Sequence, residues 1–60
     1  MNWRVDEEGY FKVWCHGCKQ ELDLVDLIRV GETGVHCVFC GMHLGYVHDI
    51  PEKFRKLLGW

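Results

Sequence analysis

Apolar residues fall in short clusters separated by polar and glycine-containing turns, the pattern of a chain built mainly from short strands. Trp3 to Val5 and Tyr10 to Trp14 are aromatic and β-branched runs on either side of Asp6-Glu7-Glu8-Gly9, which predicts a β-hairpin with a four-residue loop. The stretch Leu22 to Val30 has two readings. Leu24, Val25, Leu27 and Ile28 fit one face of a helix capped by Asp23. The same stretch also reads as a turn near Asp23 to Asp26 leading into a strand, with Gly31-Glu32-Thr33-Gly34 turning it back to Val35-His36-Cys37. The turn-and-strand reading is preferred, because it returns the second pair of cysteines to the first. Met42 to His48 predicts a further strand with Leu44, Tyr46 and Val47 as its apolar content.

The C-terminus changes period. Asp49-Ile50-Pro51-Glu52 has the form of a capping box, with Asp49 as cap, Glu52 three residues on, and Pro51 in the first turn. Ile50, Phe54, Leu57 and Leu58 then fall at i, i+4, i+7 and i+8, which places them on one helical face, and Gly59 is positioned to end the helix. The expected organisation is one domain over 1–60: a β-rich module over 1–48 and an amphipathic helix over 49–60. No internal repeat or linker is visible.

A chain of 60 residues buries too little surface to be stable on its hydrophobic core alone. With 48% hydrophobic and 13% aromatic residues it is nevertheless a folding sequence and not a disordered one. Something has to staple it. No apolar run follows a basic start, as a secretory signal would require, and none approaches the roughly 20 residues of a membrane span. The expected compartment is therefore the reducing cytoplasm, where paired cysteines read as metal ligands and not as disulfides.

The cysteines stand as Cys15-His16-Gly17-Cys18 and Cys37-Val38-Phe39-Cys40, with eighteen residues between the pairs. Two intervening residues let one tight turn aim both sulfurs at a single point, and two such turns complete the tetrahedron that zinc prefers. Gly41 follows the second pair, where the chain needs a positive φ to leave the turn. Cys15, Cys18, Cys37 and Cys40 are thus the expected ligands of one structural Zn2+. Four thiolates close the coordination sphere and leave no position for water or substrate, which argues against catalysis at the metal. His16 and His43 are expected to donate hydrogen bonds to the thiolates or to face solvent. A second metal among His36, His43 and His48 is the less expected use of the remaining histidines. Trp14-Cys15-His16-Gly17-Cys18 has the look of a thioredoxin-type redox motif, but 60 residues cannot build the βαβ frame that chemistry needs.

From Trp14 to His48 the chain resembles the zinc-ribbon family, in which two metal knuckles at hairpin tips are clamped by one zinc. The fold implied is a small zinc-stabilised α+β domain of zinc-ribbon-like β-hairpins with a C-terminal helix. Within it, Val35 to Asp49, including Cys37-Val38-Phe39-Cys40-Gly41-Met42-His43-Leu44-Gly45, resembles the zinc segment of B-type methionine sulfoxide reductases and of Yippee and cereblon-type domains. Those reductases carry a catalytic cysteine well downstream, and this chain has none after Cys40. The resemblance therefore implies shared zinc geometry without the reductase reaction.

Function is then expected away from the metal. Three tryptophans, three phenylalanines and two tyrosines exceed the needs of so small a core. Trp14, beside a ligand, is expected to shield the metal. Trp3, Phe54, Leu57 and Trp60 are the candidate partner-binding residues, although Trp60 equally suits a helix folded back on its own domain. The leading expectation is a non-enzymatic protein–protein adaptor, regulator or inhibitor, with a homodimer as one form of partner. The alternative is a nucleic-acid-binding ribbon in transcription or RNA handling, with Lys53, Arg55 and Lys56, joined by Lys12, Lys19 and Arg29, on phosphates. A formal charge of −2, made more negative by two when four thiolates hold one zinc, weighs against that alternative.

Overall fold

The computed structural model describes residues 1–60. Strands β1 (Trp3–Val5), β2 (Phe11–Cys15) and β3 (Gln20–Asp23) form one antiparallel sheet in the order β1-β2-β3. A 3-10 turn at Leu24–Asp26 leads to the second sheet, β4 (Leu27–Val30), β5 (Gly34–Cys37) and β6 (His43–Tyr46), in the order β4-β5-β6. A second 3-10 turn, Val47–Asp49, delivers the chain to helix α1 (Glu52–Leu58).

The first hairpin forms as its pattern predicts. The Asp6 carboxylate accepts the Glu8 and Tyr10 N–H groups at 3.0 and 2.8 Å, and the Asp6 N–H donates to the Tyr10 carbonyl at 2.9 Å. The short side-chain acceptor thus replaces ladder bonds that the turn cannot make. In the ambiguous segment the turn-and-strand reading holds: Leu24–Asp26 is a single 3-10 turn, and Leu27–Val30 pairs with β5. Gln20–Asp23, unassigned by its composition, becomes β3, because the first knuckle reverses the chain directly onto β2.

The two halves are built alike. Each is a three-stranded meander whose second hairpin carries a Cys-x-x-Cys knuckle, and each knuckle ends on a residue with positive φ, Lys19 at 54° and Gly41 at 77°. Beyond the paired cysteines this internal repeat leaves no mark in the side chains, because it is a repeat of backbone conformation. Lys19 in particular adopts a turn that L-residues avoid.

Both sheets turn one face to a shared core. Strand alternation puts Phe11, Val13 and Cys15 inward from β2, Leu22 from β3, Leu27 from β4, and Val35 and Cys37 from β5, with Ile50 and Phe54 filling the remaining side. The Phe54 ring lies 4.9 Å from the Phe11 ring, which Trp3 covers from the other side at 5.2 Å. Trp14 departs from expectation. It occupies an outward position on β2 and is exposed, its Nε1–H directed at His16 Nδ1 (3.3 Å).

The C-terminal segment is helical, with corrected ends. Met42 to His48 is a strand only over His43–Tyr46, since Val47 and His48 turn away in the 3-10 turn. The expected capping box is not formed. Pro51 is the helix N-cap and its carbonyl accepts the Phe54 and Arg55 N–H groups, while Asp49 reaches backwards to accept the Tyr46 N–H at 3.0 Å. At the other end Gly59 has φ 78°, Gly59 N–H meets the Lys56 carbonyl, and Trp60 N–H meets the Arg55 carbonyl, the two bonds of a Schellman cap. That cap turns Trp60 back against the core.

Candidate metal centre

Four cysteine sulfurs come together where the two knuckles meet. Cys15 ends β2 and Cys37 ends β5, so strand alternation buries both, while Cys18 and Cys40 follow on the outer limbs of their turns. All four Sγ atoms lie within 4.8 Å of one another. The short contacts cross between knuckles: Cys15 to Cys40 and Cys18 to Cys37, each 3.6 Å. A Zn–S bond of about 2.3 Å gives a tetrahedron with edges of about 3.8 Å. The donor set fits one zinc ion, and all four thiols are free of disulfide bonds.

The knuckle backbone is arranged to hold anionic sulfur. Burial pushes the Cys37 thiol up, but the N–H groups of Cys40 and Phe39 directed at its sulfur, together with the Cys18 and Cys40 thiols beside it, bring it down to about 7. Burial raises Cys15, with the Cys18 and Gly17 N–H groups opposing. Cys18 is pushed up to about 12, first by its contact with the Cys40 sulfur and then by burial and the other two thiols. The first thiolate to form makes each further one harder. A divalent cation reverses that order, because it binds all four sulfurs in the ionised form.

Two residues beside the cluster escaped the sequence reading. Met42 roofs the first knuckle, its Sδ accepting the Gly17 N–H at 3.1 Å. Gly17 is fixed by space: a Cβ there would stand 2.9 Å from Cys40 Sγ and 3.2 Å from Met42 Sδ. The glycine in Cys-x-Gly-Cys carried that signal, although nothing in the sequence identified what would crowd it. His16 and His43 lie outside the ligand set; His16 accepts from the Trp14 indole, and His43 packs between the His36 and Tyr46 rings.

The remaining candidates are dispersed. Phe54 is buried in the core and Trp60 is partly covered by it, whereas Trp3 is exposed with its ring stacked on Phe11, and Leu57 points to solvent. Leu57 misses the predicted face because the helix begins only at Glu52, so that Ile50 is not helical and the Phe54–Leu58 line sets the buried side. Of the basic residues, Lys53 Nζ sits 4.9 Å from the Phe54 ring, Lys56 Nζ is 3.7 Å from Glu52, and Arg55 Nε is buried without a partner. Lys12 is held by Asp23, and Arg29 Nε donates to the Glu32 carbonyl at 2.7 Å.

No family model, curated protein or solved structure matches this chain. No helix is long and apolar enough to cross a membrane. The findings define a small α+β fold of two antiparallel sheets and one helix, joined at a four-cysteine site suited to a single structural zinc ion.

Proposed function

We propose that this chain is a non-enzymatic zinc-ribbon-type protein that acts by binding another protein, as an adaptor or regulator, in the cytoplasm. One observation carries the reading. Tyr10, Val25 and Leu57, which are 61, 81 and 75% exposed, rim a cleft of about 500 Å3 floored by Phe11 and Phe54. Three large apolar side chains in water around one concavity have no use within the chain, and contacts of this kind anchor protein interfaces. The four thiolate ligands leave the zinc without an open position, which supports a structural and not a catalytic role.

The nucleic-acid reading has less support. Lys12 and Lys56 lie in ion pairs, Lys53 sits over an aromatic ring, and the chain is net acidic. The deciding experiment places a photoreactive amino acid at position 57 of the zinc-loaded protein in an extract of its source. The expected result is a crosslink to a distinct protein that persists at high salt and is competed by the unlabelled chain but not by its V25D/L57D variant. Crosslinking only to a second copy would make the cleft a dimer interface. Crosslinking to nucleic acid, or competition by the double variant, would overturn the proposal.

A further inference from the structure

We propose that His36 and His43 form a second, exchangeable site for a divalent transition-metal ion of the zinc, nickel or copper type. The site lies on the outer face of the second sheet, separate from the cysteine cluster, and does not depend on any protein partner. The register places the two histidines directly opposite each other on β5 and β6. Their ring centroids are 5.1 Å apart. Two imidazoles on one ion, with metal–nitrogen bonds of about 2.0–2.1 Å and ligand angles of about 90–110°, need centroids roughly 4.6–5.3 Å apart. The pair already has that spacing.

A second observation fixes the ligand atom. His36 Nδ1 donates to the Gly41 carbonyl at 2.9 Å, which leaves the lone pair on Nε2. Metal-binding histidines are oriented in this way, with one ring nitrogen tied to a backbone carbonyl and the other free for the ion. Nε2 lies over Gly34, where a Cβ would stand only 3.6 Å from it, so the absence of a side chain keeps the approach open. His43 is exposed and makes no side-chain hydrogen bond that metal binding would have to break.

The surroundings favour a cation. Ile28, His36 and His43 stand in register across the three strands with no lysine or arginine among them, and the chain carries a net negative charge. Neutral imidazole selects zinc, copper and nickel over magnesium or calcium, and water completes the sphere. His48 does not join, since its ring stacks on Tyr46 at 5.6 Å and its Nε2 faces Asp49 at 3.8 Å.

The test uses the full chain loaded with one equivalent of Zn2+ on the cysteines. Calorimetric titration with further Zn2+ is expected to show one additional, weaker equivalent. Substoichiometric Ni2+ is expected to broaden the His36 and His43 ring signals in NMR spectra before those of His16 and His48. H36Q and H43Q should each weaken the second equivalent at least tenfold, whereas H16Q and H48Q leave it unchanged. Because His36 adjoins Cys37, the first zinc is counted in every variant; if H36Q fails to retain it, H43Q decides. Absence of a second equivalent, its survival in H43Q, or its loss in H48Q would overturn the proposal.

Discussion

Glycines on the two knuckles separate two kinds of constraint. Gly41 has φ 77° with nothing within 4 Å of an added Cβ, so Gly41→Ala meets only the left-handed backbone penalty of about 1 kcal/mol. Gly17 has no such φ but no room, and Gly17→Ala must push aside a ligand sulfur at 2.9 Å. Overpacking of this type costs about 1–3 kcal/mol. Chelator-competition titration should therefore show Gly17→Ala to weaken zinc binding more than Gly41→Ala; equal losses would remove crowding as the cause. The sequence disclosed the first constraint, since a glycine after Cys-x-x-Cys is a familiar turn exit. The second was illegible, because it depends on Cys40 arriving from a chain segment more than twenty residues away.

At the level of elements, strand alternation was readable wherever one face is buried, as in β2, and failed where a turn dictated the strand, as in β3. Asp49 shows the same limit from the other side. Its spacing to Glu52 is right for a cap, but the 3-10 turn before it offers the Tyr46 N–H first. Helix α1 yields a paired expectation. Phe54 fills the core against Phe11, so Phe54→Ala should cost about 3–5 kcal/mol, a large share of a small domain's stability. Leu57 projects into solvent, so Leu57→Ala should fall within about 0.5 kcal/mol of the parent. Thermal unfolding of the zinc-loaded variants distinguishes the two, and a comparable loss at both positions would show that the helix packs through the wider predicted face. The proposed partner binding should weaken in Leu57→Ala although its stability is unchanged, which keeps the cleft testable without unfolding the chain.

For the whole molecule, nine buried residues form the core, and two of them are cysteines of the metal cluster. Zinc binding is therefore expected to be inseparable from folding. Unfolded thiols have pKa values near about 8.5, and zinc holds them as thiolates far below that. The metal's contribution is thus complete above the unfolded value and declines as pH falls. With four protons competing, affinity drops by up to about 10,000-fold per pH unit, or about 5.4 kcal/mol. Set against about 10–16 kcal/mol of zinc binding at pH 7, this places release and unfolding together near about pH 4–5. Circular dichroism and a zinc-sensitive dye should report coincident midpoints; a fold that outlasts its metal would refute the coupling. The cluster also has a sheltered side and an open one, since Cys15 and Cys37 are buried and Cys40 is exposed. Attack by an incoming ligand is accordingly directed to one corner of the tetrahedron. Zinc loss should then be bimolecular, its rate rising in proportion to chelator concentration, instead of waiting on spontaneous opening. The lifetime of the folded protein would be set by the thiols and chelators around it more than by the strength of its own core.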